Sequence, residues 1–447
     1  MVELEPKLTP NAQAFIDTIR HFQYSQDSDT VREQHMRLQE IVQNYRGNLH
    51  DAVINRLKEV LNPGGVQLVT ERDIWSIVTE IMGENASILR EPELQVLSVA
   101  VQKPSISMKQ MSEKIPNLSY NQVRRAMSRL RETGIYAVRG LLNASKLGLQ
   151  RYLIVLESPN LIPSSPYFHK FLFTASAQKV FIVATIPKQK ESDFLNMVRS
   201  LRTDARSVTA YKLSRGTLHF SPSYYSKDKR SWDIEPLHFG MLLRQGGQEL
   251  VFGESSRNVG DNEVTLANSE PKILQVLLQY YDMAVSEISS RTGLSETTVV
   301  DTRLRLLNER VVLPRPRLRI PTLREMLIFH MSDAAGDLLA ASRYLPLTYI
   351  SRIENLETSE QRILLLSFCK KGSTAEMKNL ALRATSLVDN VVVHRLQSGI
   401  SDCVSVETMY DIKKGAWAWD NNFFDAVGYR TLRRSASPED IPLDLTW

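Results

Sequence analysis

The chain carries one pattern twice, and a repeated pattern constrains a fold more than any single motif does. The segment MSEKIPNLSYNQVRRAMSRLRETGIY, ending at Tyr136, lies over ISSRTGLSETTVVDTRLRLLNERVV, residues 288–312, with one residue fewer in the turn. Ser295 then matches Ser119, Val299 matches Val123, Arg305 matches Arg129, Leu306 matches Leu130 and Val311 matches Ile135. LQVL at 274–277 echoes LQVL at 94–97, and Tyr225 and Trp232 are spaced as Tyr410 and Trp417 are. The chain therefore reads as two copies of one unit.

Each copy opens with helices. In the first, Ser119 and Gln122 form a capping box, and Val123, Ala126, Met127 and Leu130 give the helix one apolar face. Its other face carries Asn121, Gln122, Arg124, Arg125, Ser128 and Arg131, side chains that reach phosphates and base edges. The competing reading is an ordinary surface helix with a solvated basic face. A short helix at Met108–Ile115 precedes it across a Pro116-Asn117 turn, and Leu94, Leu97 and Val101 mark a leading helix. Two short helices about a tight turn make a helix-turn-helix. Ile135–Arg139 reads as a strand with its return at Gly140–Lys146, the hairpin of a winged helix.

After these helices the pattern turns to strands. RYLIVLE (151–157), FLFTASA (171–177), KVFIVATIP (179–187) and SVTAYKL (207–213) read as strands, and Lys190–Arg202 as a helix. Pro159–His169 leaves room for a first helix, a poor one because of Pro163 and Pro166. Strand, helix, strand, strand, helix, strand is the ferredoxin-like βαββαβ order. The second copy repeats it with strands at Arg324–Met331, Leu347–Ile353, Arg362–Phe368 and Asn390–Leu396 and a helix at Thr374–Leu387. Ahead of both copies lies helical sequence, broken by Asn62-Pro63-Gly64-Gly65 and restarted at Thr70 with Asp73 in the capping position.

The expected fold is thus α+β. A helical N-terminal domain (1–88) precedes winged helix-turn-helix 1 (89–148), βαββαβ domain 1 (149–222) and a tail and linker rich in Gly and Ser (223–268). Winged helix-turn-helix 2 (269–322), βαββαβ domain 2 (323–410) and a C-terminal tail (411–447) follow. The 447 residues suit several domains, and 43% hydrophobic with 23% charged residues is a globular composition. The net charge of +5 is compatible with an anionic partner. Two cysteines, Cys369 and Cys403, offer neither a disulfide framework nor a ligand pair. No apolar run approaches a membrane span, so the expectation is a cytoplasmic protein without a membrane partner. No dinucleotide or phosphate loop and no HExxH occurs, so no cofactor, no metal and no catalysis are expected. His169, His219 and His330 sit where they could face a pocket, although a lone histidine on a strand is more often a packed one.

A helix-turn-helix with a wing, followed directly by βαββαβ, resembles the Lrp/AsnC (feast/famine) transcription regulators of bacteria and archaea. The resemblance covers about 90–222 and 270–410. It implies duplex DNA as partner of the first domain, and a sensing and pairing domain, called RAM, as the second. Two RAM-like domains would pair within one chain, with homo-oligomers and a small-molecule effector as further partners. The family's glycine-rich effector loop is represented here by Ile186-Pro187-Lys188-Gln189 and Lys370-Lys371-Gly372-Ser373, and only the second copy keeps a glycine. The expected DNA-binding residues are Ser119, Tyr120, Asn121, Gln122, Arg124, Arg125, Ser128 and Arg131 of the first copy, with Thr297, Thr298 and Arg305 of the second. Arg315, Arg317 and Arg319 join them on a proline-stiffened segment at the second wing. Sirohaem decarboxylases resemble the same regulators in fold, work as paired copies, and use basic and histidine side chains on a tetrapyrrole. They are the enzymatic alternative, and a protein-interaction scaffold is the third.

Overall fold

In the computed structural model the described residues are 7–24, 38, 41, 42, 45, 48–61, 68–87, 89–175, 178–214, 216–226, 231–235, 238, 239, 241, 263–320, 322, 323, 325–332, 341–370, 372–377, 379, 391–420 and 425–436. The Asn62–Gly65 break, residues 242–262 of the linker and most of the Thr374–Leu387 helix lie outside them. The chain divides into two compact units, Met1–Leu89 and Arg90–Trp447.

The first unit contains α1 (Pro10–Tyr24), α2 (Leu49–Leu61) and α3 (Glu71–Ser87). Phe15, Ile19, Val53, Leu57, Ile74 and Val78 share its core, with the Phe15 and Trp75 rings 4.7 Å apart. Thr70 caps α3 as its sequence requires, its N–H and hydroxyl donating to Asp73 at 2.8 and 2.6 Å.

The second unit opens with α4 (Glu91–Gln102), α5 (Met108–Lys114) and α6 (Tyr120–Glu132), then β1 (Tyr136–Leu142). The α6 cap is the reciprocal box read from the sequence. The Gln122 amide donates to Ser119 Oγ at 3.4 Å, and the Ser119 amide donates to Gln122 Oε1 at 2.8 Å. Five strands and a helix follow: β2 (Leu149–Glu157), β3 (Leu161–Ser164), β4 (Phe168–Thr174), β5 (Lys179–Pro187), α7 (Glu191–Ser200) and β6 (Ser207–Leu213). Next come β7 (Thr217–Phe220), β8 (Tyr225–Ser226) and β9 (Ser231–Trp232). The second copy supplies α8 (Glu270–Gln279), α9 (Val285–Thr292), α10 (Glu296–Asn308), β10 (Val312–Leu318), β11 (Glu325–Ser332), β12 (Leu347–Asn355), β13 (Gln361–Cys369) and β14 (Val392–Ser401). The chain ends with α11 (Val406–Met409), β15 (Tyr410–Asp411), β16 (Ala416–Trp417), β17 (Asp425–Gly428) and α12 (Tyr429–Ser435).

Strands from the two copies close into one antiparallel barrel. Its order is β13-β11-β14-β4-β5-β2-β6-β12, with β12 paired back to β13 and β7 added outside β12. Closure leaves these eight strands without a free edge. The junctions between copies are β4 with β14 and β6 with β12. Tyr152, Ile154, Phe173, Ile182 and Phe194 lie in one buried cluster on this sheet. The Tyr–Trp spacing has the same role in both copies. Tyr225 pairs with Trp232 and Tyr410 with Trp417 in two-residue strands, their rings near-perpendicular at 4.7 and 5.3 Å.

Two local expectations are corrected. The span Pro159–His169 holds no helix. Pro163 and Pro166 deny it the backbone donors a helix needs, and Leu161–Ser164 instead forms β3, paired with β17. The wing is not a hairpin within the first copy either. β1 pairs antiparallel with β10 of the second copy, from Tyr136 opposite Leu318 to Leu142 opposite Val312. Of the Gly140–Lys146 return, Gly140–Leu142 belong to β1 itself, and Ala144–Lys146 lie in a 3₁₀ turn, Ala144–Leu147.

Gly140 makes the cross-copy ladder fit. A Cβ there would stand 2.5 Å from the Leu277 carbonyl oxygen at the end of α8, a backbone atom that cannot step aside. Gly140→Ala should therefore cost about 1–3 kcal/mol by overpacking. Urea unfolding of the full chain reads this directly, and an unchanged midpoint would show that β1 does not lie against α8.

Candidate functional site

A cavity of about 260 Å³ opens where β1 and β10 meet the barrel. Its walls come from segments distant in sequence: β1, the start of β2, the start of β4, the end of α8, β10 and residues 401–404 after β14. Arg139, Arg151, Lys170 and Arg315 line it, with Asp402 as the carboxylate among the lining residues. Leu141, Leu142, Leu278 and Val404 give it apolar wall. Four cations against one acid make a site for an anion.

The backbone explains how these groups converge. Arg139 and Arg315 stand directly opposite each other in the β1–β10 ladder, where like charges repel. Arg151 Nη2 donates to the Leu142 carbonyl, which ties β2 to the end of β1. On β4 the pairing with β5 slips between Phe168 and Lys170, so His169 is the extra residue of a bulge. A bulge re-aims a side chain, and here His169 lines the cavity. The Asp402 amide donates to the His169 carbonyl at 2.6 Å and brings the 401–404 segment alongside. Gln275 on α8 holds the same segment, donating to Cys403 Sγ at 3.2 Å and accepting from the Val406 amide at 2.7 Å.

His169 is the chemically distinctive group. Its Nδ1 is buried without a hydrogen-bond partner. Burial pushes its pKa down to about 3, and the positive charges of Lys170, Arg151 and Arg315 act in the same direction, against a hydrogen bond with the Tyr167 backbone. The ring is neutral at pH 7. His219 and His330 are likewise held down, each to about 4, by burial first, then by Arg343 for His219 and Arg362 for His330. Neither lines the cavity, and His330 packs edge-on against Tyr211 at 5.4 Å.

The second copy does not reproduce this chemistry. Its counterpart of the Asp402–His169 backbone bond is the Ser221 amide donating to the Pro346 carbonyl at 3.1 Å. Lys170 lies opposite Ser401 one position further, and Leu347 lies opposite Phe220 in the same way. Pro346 and Leu347 thus stand where the first copy has His169 and Lys170.

The residues expected to meet DNA fall into three groups. On α6, Tyr120, Asn121, Gln122, Arg124, Arg125 and Ser128 are exposed, and Ser119 is the cap. Arg131 forms an ion pair with Asp282 at 3.2 Å, linking α6 to the turn between α8 and α9 of the second copy. On α10, Thr297 is exposed, Thr298 bonds the Ser295 cap, and Arg305 is engaged by Glu270 and Glu309. At the second wing, Arg315 faces the cavity, Arg317 is half-buried in β10, and Arg319 is exposed just beyond it. The cavity residues Arg139, Arg151, Lys170 and Asp402 were not singled out by the sequence. Arg151 and Lys170 lie near the starts of β2 and β4, while Arg139 sits in the middle of β1, so no common spacing marks them.

No family model matches the chain, and no curated protein matches it. Among solved structures it is similar to siroheme decarboxylase NirDL in co-complex with an iron-uroporphyrin III analogue, at 12% identity over 69% of this chain and 92% of that one, with a TM-score of 0.39. NirDL in a second structure gives 11% identity, 72% and 98% coverage and a TM-score of 0.40. PH0061 gives 16% identity over 27% of this chain and 90% of its own, at 0.21. The expectation of no catalysis is corrected here, because the solved structures include an enzyme. Among the described residues no helix is long and apolar enough to cross a membrane.

Arg129 separates structural from outward arginines. It pairs with Glu93, whose carboxylate is 3% exposed and also accepts from the Arg90 amide. Arg129→Ala strands that carboxylate and should cost about 3–5 kcal/mol. The Arg124/Arg125 double alanine variant should stay within about 0.5 kcal/mol of the parent at each site. Denaturant midpoints of the two variants check this, and equal losses would contradict the assignment.

Proposed function

We propose that the chain is a decarboxylase-type enzyme that holds a carboxylate-bearing substrate in the cavity beside His169. The observation that carries this reading is the conjunction of four cations with a buried, unpartnered Nδ1 in one cavity. At about 260 Å³ the cavity lies just below the usual ~300–1,000 Å³ of a small-molecule pocket. It therefore takes a small polycarboxylate, or the carboxylate-bearing edge of a larger one. Two of the solved neighbours are siroheme decarboxylase NirDL, one of them with an iron-uroporphyrin III analogue.

His169 supplies the proton. An entering carboxylate offsets Lys170, Arg151 and Arg315, the charges that help to hold His169 neutral, so its pKa rises on binding. Binding thus moves His169 toward its protonated form. When the carbon–carbon bond breaks and CO₂ leaves, its electron pair stays on the substrate carbon. The proton on His169 then completes the new C–H bond. The apolar wall of Leu141, Leu142 and Val404 disfavours the charge of the carboxylate that is lost.

A second reading rests on a separate observation: the outer face of α6 is exposed, and Arg124 and Arg125 have no ion pair among the described residues. This supports duplex-DNA binding by tandem winged helices, with the barrel as a fused pair of RAM-like sheets. Each phosphate that a side chain neutralises adds about 0.9 to the steepness of log K against log salt. The Arg124/Arg125 double alanine variant should flatten that slope by nearly two in a binding titration. An unaltered slope excludes α6 as the DNA element.

The substrate reading is tested by titrating the chain with uroporphyrin III and with citrate between pH 6 and 8. The free His169 pKa is about 3, and a bound anion raises it, so binding takes up a proton as pH falls toward the bound-state pKa. Affinity should therefore rise as pH falls through the bound-state pKa. Lys170→Ala should weaken binding about tenfold or more, and His169→Asn should remove the pH dependence. Binding that ignores Lys170, or a pH profile unmoved by His169→Asn, contradicts the assignment.

A further inference from the structure

The two cap-matched helices present opposite chemistry at the same positions. With Ser295 laid on Ser119, Arg124 corresponds to Val300, Arg125 to Asp301, Ser128 to Leu304 and Tyr120 to Glu296. On α10 these side chains all face outward, with Val300 38% and Leu304 53% exposed. Val300 and Leu304 lie one turn apart, so they form one apolar strip, and Asp301 and Glu296 lie beside it. An aliphatic strip with carboxylates repels a phosphate backbone and offers it no donor. An exposed apolar strip with a charged rim is the character of a docking surface.

The complementary surface is on the same chain. The outer face of α6 carries Arg124 and Arg125, which are exposed, and Tyr120, 49% exposed. It offers cations for Asp301 and Glu296 and an aromatic ring for Val300 and Leu304. Within one chain the two faces do not meet: α6 packs on α4, α5 and β1, while α10 packs on α8, α9 and β10. Glu296, Asp301, Arg124 and Arg125 have no ion-pair partner among the described residues.

We infer that the outward face of α10 docks the α6 face of a second copy of this chain. The contact joins two different surfaces, so copies add head to tail. Its carboxylates sit where phosphates would meet α6, so docking and any nucleic acid on α6 exclude one another. Exposed ion pairs are individually weak and screened by salt, so association depends on ionic strength.

The test is sedimentation of the full chain over a concentration series at low and at moderate salt. The wild type should self-associate at low salt and dissociate as salt rises. Arg125→Asp and Asp301→Arg should each weaken association at least tenfold, because each leaves like charges facing. An equimolar mixture of the two variants should restore it, since every contact then joins opposite charges. Circular dichroism confirms that both surface variants are folded. A wild type that stays monomeric throughout, or a mixture that associates no better than its components, overturns the proposal. So does Arg125→Asp losing binding to a duplex oligonucleotide while its self-association is untouched.

Discussion

The β1–β10 ladder is the interaction on which the second unit depends. It joins the two copies through seven directly opposed residues, beside helices that belong to different copies. Beside it, the β4–β14 and β6–β12 junctions turn two sheets that would each expose edges into one closed barrel. The ladder also fixes Arg139 against Arg315, so the centre of the pairing carries two facing cations.

The cavity follows from that pairing and from a later divergence of the copies. The ladder and the barrel rim enclose one space, and the bulge on β4 turns His169 toward it. The second copy places Pro346 and Leu347 at the corresponding positions, so the histidine–lysine pair is on the first copy's side. The helices differ in the same sense: Arg124, Arg125 and Ser128 on α6 correspond to Val300, Asp301 and Leu304 on α10. Gly134 and Arg310 show what stayed common. Both adopt left-handed backbone after their helices, at φ 69° and 58°, although only glycine does so without strain.

Much of the local structure was legible because it is local. The Ser119–Gln122 box, the apolar face of α6 and the strands Lys179–Pro187 and Ser207–Leu213 follow from periodicity and capping over a few residues. The Tyr–Trp spacing marked a real structural rhyme. Partner choice was not legible. A short strand such as Tyr136–Leu142 carries no record of whether it folds back on its neighbour or reaches a strand far along the chain. The prolines of Pro159–His169 argued against a helix without naming the strand that replaces it. The cavity was the least legible part, since its cations come from segments that no spacing rule connects, and nothing in the sequence set His169 apart from His219 and His330 as the one that faces a pocket.

The pairing of the copies within one chain is tested most directly by a disulfide across the ladder. Ala137 lies opposite Arg317, and opposed strand residues stand about 4.5–5.5 Å apart at Cα, within disulfide range. Mild oxidation of the Ala137→Cys/Arg317→Cys variant should yield a cross-linked monomer, in a proportion independent of protein concentration. A product consisting of disulfide-linked dimers, or no cross-link under oxidation, would contradict the intrachain ladder and the cavity built on it.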